Sequence, residues 1–112
     1  MATGLIALAN VYNSAVGTGA DILASDIAPT MGRSAFRVTV ALGGAAKLEV
    51  EIDDGTTQKS LVLNDDTDLA ASNLYTFVFG VDKTYTYNFQ HDDAGSITVD
   101  YMLVEEILGG EI

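Results

Sequence analysis

Six of the nine aromatic residues crowd into positions 75–89, as Tyr75, Phe77 and Phe79, then Tyr85, Tyr87 and Phe89. In each triplet the rings alternate with other residues. Successive side chains on a β-strand point to opposite faces, so each triplet reads as a strand with its rings on one side. Antiparallel pairing around Val81-Asp82-Lys83 would set Phe79 opposite Tyr85, Phe77 opposite Tyr87 and Tyr75 opposite Phe89. This aromatic ladder commits the chain to an all-β fold. The face opposite it holds Thr76, Thr84, Thr86 and Asn88, which suits water, so the rings are expected in the core rather than as an exposed sugar-binding stripe.

The same alternation recurs upstream. Residues 35–42 put Phe36, Val38, Val40 and Leu42 on one face, and residues 46–52 put Leu48, Val50 and Ile52 opposite Lys47, Glu49 and Glu51. Pairing these two around Gly43-Gly44-Ala45 matches Phe36 with Ile52, Val38 with Val50 and Arg37 with Glu51. Asp53-Asp54-Gly55-Thr56 reads as a hairpin turn leading to a strand at 58–63, in a register that pairs either Leu48 with Leu61 or Glu51 with Lys59. Residues 64–73 form an acidic loop. A last strand at 96–104 would place Ile97, Val99 and Tyr101 opposite Phe89, Tyr87 and Tyr85. Six strands at spacings of about 10 to 15 residues predict a two-layer antiparallel β-sandwich, jelly-roll or Greek-key in its connections.

Residues 34–112 thus make the sandwich domain, and residues 1–33 stand apart. That first zone is rich in Ala, Gly, Ser and Thr, holds the one proline, Pro29, and lacks a sustained period. Residues 5–12 supply either a further strand or part of an extended arm laid on a neighbouring subunit, and residues 20–27 either a short strand or a helical turn. Under the arm reading its apolar residues are the candidate partner contacts: Leu5, Ile6, Leu8, Val11, Tyr12, Ile22, Leu23, Ile27 and Pro29.

A chain of 112 residues is one domain by size, large enough for a core without staples. Cysteine is absent, so packing and partners must stabilise the fold, and no thiolate chemistry is open to it. The 5 basic residues are scattered among 16 acidic ones, for a net charge of −11. Direct binding of nucleic acid or an anionic membrane surface is disfavoured on those grounds. No basic residue precedes Arg33 and the apolar run at residues 5–9 is short, so no export signal or membrane span is read and cytoplasmic synthesis is expected.

Candidate chemistry gives way to simpler readings. His91, Asp92 and Asp93 are adjacent in a turn, where side chains diverge, and read as a solvated turn rather than a metal or acid–base cluster. Asn64, Asp66 and Asp68 have the spacing of the first calcium-loop ligands, but Leu69 and Tyr75 stand where an EF-hand needs Gly and Glu; a looser calcium site in this loop stays open. Glu105 and Glu106, neighbours on a strand, point to opposite faces and read as its charged end, not as a converging glycosidase pair. With no catalytic set, no cofactor motif and no metal set, the chain is expected to be a non-enzyme.

The small-residue arm at 2–33, the run Tyr85-Thr86-Tyr87-Asn88-Phe89-Gln90 and the run Gly95-Ser96-Ile97-Thr98-Val99-Asp100-Tyr101 together resemble the small head-decoration, or cement, proteins of tailed viruses. The resemblance implies a structural virion protein on the capsid exterior, with the major capsid protein as partner and a homo-oligomer, commonly a trimer, as its form. A sugar- or receptor-binding module of a virion surface is the rival reading.

Overall fold

The structure, a computed structural model, describes residues 4–108. Its strands are β1 Gly4–Val16, β2 Arg33–Leu42, β3 Leu48–Asp53, β4 Gln58–Val62, β5 Tyr75–Asp82, β6 Thr86–His91 and β7 Ile97–Leu108. They form two antiparallel sheets, ordered β1-β7-β2-β5 and β4-β3-β6. Alternation decides the inner faces: Phe36, Val38, Val40 and Leu42 of β2 and Leu48 and Val50 of β3 are fully buried, together with Phe89, Val99, Met102 and Val104. The chain is therefore an all-β two-layer sandwich, as its sequence pattern predicts.

The winding is that of a jelly roll. Apart from the β3–β4 hairpin, each strand from β2 onward is followed by one in the other sheet. Between β1 and β2 the chain also visits the smaller sheet, running beside β6. Ile22 N–H donates to the Phe89 carbonyl (2.8 Å), and Ile27 exchanges two bonds with Tyr87 (2.9 and 2.7 Å). This irregular segment takes the place of an eighth strand.

Crossing between sheets overturns three expected pairings. β2 lies between β7 and β5 rather than against β3, so Arg37 meets Glu105 and Val78, not Glu51. β5 and β6 belong to different sheets, and β7 pairs with β1 and β2 rather than with β6. The ladder is thus two half-ladders facing each other across the core: Phe36 meets Tyr87 edge-on at 5.3 Å, and Phe79 meets Phe89 edge-on at 6.4 Å. Alternation reports which face a strand buries, not which strand lies beside it. A link of three residues can span the roughly 10 Å between stacked sheets as readily as it closes a hairpin.

The glycines at the β2–β3 link serve that crossing. Gly43 N–H donates to the Thr98 carbonyl at 2.7 Å. A Cβ there would lie 2.9 Å from the same oxygen, so the position needs glycine for close backbone approach. The expected hairpin at 53–56 is present, with Gly55 at φ +94° and the Asp54 carboxylate accepting from Thr56 and Thr57 N–H. Its register differs from both expectations: Leu61 faces Val50 and Lys59 faces Ile52.

Three buried polar residues, His91, Asn88 and Glu106, bind the first third of the chain to the sandwich. The His91 Nε2–H donates to the Val16 carbonyl (2.7 Å), while Nδ1 accepts from Asp93 N–H (3.1 Å). His91 is 1% exposed, which corrects the solvated-turn reading: it closes the end of β1. Asn88 grips Leu23 at both backbone groups (3.0 and 3.2 Å) and donates to Asp26. Glu106, fully buried, accepts from Thr30 N–H and Oγ1, Met31 N–H and Ser34 Oγ, whose bond is 2.7 Å. The charged-end reading therefore fails for both: β7 continues to Leu108, Glu105 is bonded to Arg37 on the outer face, and the Glu106 side chain points inward.

Candidate functional site

β1 is an edge strand of the larger sheet, bonded on one side to β7 through eleven register pairs with one bulge at Leu8. It contains no Asp, Glu, Lys or Arg; the first acid is Asp21 and the first base Arg33. Natural edges are ordinarily blunted by charge, proline or strong bulging, because their free N–H and C=O groups invite pairing. A thirteen-residue edge with a single bulge and no charge is left open.

The outer face of the same sheet continues this character. Register fixes its rows: Leu5, Ile107, Ala35 and Gly80; Ala7, Glu105, Arg37 and Val78; Asn10, Leu103, Thr39 and Thr76; Tyr12, Tyr101 and Ala41. Tyr12 is 74% exposed and Val78 58%. Two register pairs on the face match base with acid: Arg37 donates to Glu105 Oε1 from Nη2 (2.8 Å) and Nε (3.0 Å), and Arg33 stands opposite Asp82 at the end of the sheet. The smaller sheet presents the opposite. Its β3 turns Glu49, Glu51 and Asp53 outward, since Leu48, Val50 and Ile52 turn inward. A molecule of charge −11 thus has one broad face without net charge.

The nine arm residues are divided by this arrangement. Leu5, Ile6 and Tyr12 are exposed on β1. Leu8, Val11 and Ile27 are half-buried against the core, while Ile22, Leu23 and Pro29 are buried within the chain and present no surface. Of the two readings of residues 5–12, the structure holds the strand; residues 20–27 hold no helix. Periodicity missed the partners on β7 and β5, Tyr101, Leu103, Ile107 and Val78. Their signal was in the sequence, as apolar residues alternating with core residues on the same strand: Tyr101 and Leu103 with Met102 and Val104, and Val78 with Phe77 and Phe79.

The loop at 64–73 has left-handed backbone at Asn64, Asp65 and Asp66, and Asp66 faces the Lys47 ammonium at 3.3 Å. Among the described residues no three His, Asp or Glu side chains converge as a metal set. Elsewhere turn donors hold carboxyls below their ordinary range: Thr57 and Thr56 N–H at Asp54, and Thr84 N–H and hydroxyl at Asp82. Burial pushes the Tyr87 phenol up. Among the described residues no helix is long and apolar enough to cross a membrane. Comparison with known proteins found no matching family model and no matching curated protein.

Proposed function

We propose that this chain is a structural virion protein that binds the outer surface of a viral shell and stabilises it, in the manner of the decoration proteins its sequence resembles. The observation that carries the reading is the face of the larger sheet, where Arg37 is matched with Glu105 and Arg33 with Asp82, together with its open β1 edge, on a molecule rich in carboxylates. Burying the middle of that face costs little desolvation, because Arg37 and Glu105 there are already bonded to each other. The β1 edge can add its free backbone groups to a partner's sheet.

The acidic remainder faces away and keeps bound copies soluble. In this reading the partner is the major capsid protein, copies sit as a homo-oligomer such as a trimer, and the chain resides on the capsid exterior. Binding that favours the assembled shell stabilises it by about 2.7 kcal/mol per site when free protein is about a hundredfold above Kd. The test is the melting of shells stripped of the chain and then supplied with it. Melting several degrees higher, saturating at a fixed number of copies, is the expected result; unchanged melting would refute the proposal.

A further inference from the structure

Where β2 begins and β5 gives way to β6, a groove of about 580 Å³ opens at one end of the sandwich. Its lining combines the apolar Ile52 and Val81, the rings of Tyr85 and Tyr87, and one base and one acid, Arg33 and Asp82, which are register partners on β2 and β5. A smaller hollow of about 210 Å³ shares Ile52 and Tyr85 and repeats the combination with Lys59 and Asp54. Each hollow is thus lined by one cation and one anion, with Tyr85 common to both.

These polar groups keep hydrogen-bonding capacity in hand. Among the described residues Arg37 and Lys47 close ion pairs, whereas neither Arg33 nor Lys59 has a carboxylate within ion-pair distance. Turn donors fix each acid through one oxygen only. Asp82 Oδ1 accepts from Thr84 N–H and Oγ1 (2.9 and 2.8 Å), and Asp54 Oδ1 accepts from Thr56 and Thr57 N–H (2.9 and 2.7 Å). The Oδ2 atoms of both acids have no donor among the described residues. Tyr87 Oη accepts from Asp82 N–H (2.9 Å), and its own proton has no acceptor among the described residues. Tyr85 is 39% exposed, an apolar ring left partly in water.

We infer that this groove binds a neutral, hydroxyl-rich sugar, stacked on Tyr85 and hydrogen-bonded to Arg33, Asp82 Oδ2 and the Tyr87 hydroxyl. The inference goes beyond shell binding and does not rest on it. The lining excludes the simpler ligands. An anion would meet Asp82 and Asp54, a cation would meet Arg33 and Lys59, and an apolar molecule would strip water from charged groups without returning a hydrogen bond. A sugar hydroxyl both donates and accepts, so neighbouring hydroxyls satisfy a carboxylate oxygen and a guanidinium together. The C–H face of a pyranose is apolar and lies flat on an aromatic ring, which gives the exposed Tyr85 a partner. The groove has the volume of a small-ligand site, and the hollow beyond Tyr85 takes the next sugar unit. A peptide also offers donors and acceptors, but it would be held along its backbone and would make no use of a flat ring.

The test is a ¹⁵N NMR titration of the full chain with four neutral disaccharides, cellobiose, maltose, lactose and N,N′-diacetylchitobiose, set against glucuronic acid and glycerol. At least one disaccharide should give saturable shifts at Ile52, Asp82 and Tyr85 with Kd of about 1 mM or below, at least about tenfold tighter than glucuronic acid or glycerol. Tyr85→Phe keeps the flat ring and should bind like the wild type. Tyr85→Leu keeps apolar bulk without the ring and should bind about tenfold more weakly. If Tyr85→Leu disturbs the spectrum away from the groove, Arg33→Gln, at the exposed first residue of β2, takes its place with the same expected loss. No saturable shift with any of the four disaccharides, glucuronic acid binding as tightly as they do, or full affinity in folded Tyr85→Leu or Arg33→Gln would overturn the inference. Shell binding rests on β1 and on the Arg37–Glu105 middle of the larger sheet, which Tyr85→Leu leaves in place, so the two readings fail separately.

Discussion

Glu106 shows how much a single residue can hold. Its carboxylate takes hydrogen bonds from four donors on residues 30–34, all of which its removal would leave unsatisfied in a part-buried site. Burial alone would raise its pKa, but the donors of Thr30, Ser34 and Met31 outweigh burial and hold it below the ordinary 4.5. A carboxyl with a lower pKa folded than unfolded stabilises fully above the unfolded value, and that contribution is lost as pH falls through the folded one. Glu106→Ala should cost about 3 kcal/mol at neutral pH. In thermal melts, the gap between wild type and Glu106→Gln should narrow steadily as pH drops below 4.5; a gap independent of pH would show that the charge is not what binds the segment. Neither Glu106 nor His91 was legible as an anchor in the sequence. A charged residue beside another charged residue reads as surface, and only the partner 72 to 76 positions away makes it core.

At the scale of elements, strand positions were legible and strand neighbours were not. Period-two burial located six of the seven strands to within a few residues, because a strand half in water has to alternate. Pairing depended on whether short links turn back or cross over, and that is decided by close contacts such as Gly43 on Thr98. Gly43→Ala should therefore destabilise by about 1 to 3 kcal/mol, measured by urea unfolding, although the residue sits in a link. An Ala that is neutral there would mean the crossing is looser than described. Deleting residues 2–33 should abolish cooperative unfolding rather than free an arm, since Ile22 and Leu23 are core and β1 covers one edge of β7. A deletion variant with a sharp melt near that of the full chain would contradict this. Of the candidate site, only the β1 residues Leu5, Ile6 and Tyr12 were legible as surface, because the rest of the face is assembled from strands up to about 100 positions distant.

For the whole molecule the governing fact is the separation of charge from the larger sheet. Sixteen acids repel one another and keep copies apart, whereas on the β1-β7-β2-β5 face Glu105 and Asp82 are each matched by an arginine. Docking through a neutral face should persist when salt is raised from about 0.1 to 1 M, a change that shortens screening from about 10 to 3 Å and would weaken contacts made by surface charge. The most direct measurement of the proposed function is co-sedimentation with viral shells of the kind the chain is proposed to bind, for the wild type and for Tyr12→Lys, whose substitution falls on a 74% exposed side chain. Tyr12→Lys should melt like the wild type to within about 0.5 kcal/mol. The account predicts saturable wild-type binding and a loss of at least about tenfold in the folded variant. Equal binding by the two proteins, or no binding by the wild type, would contradict it.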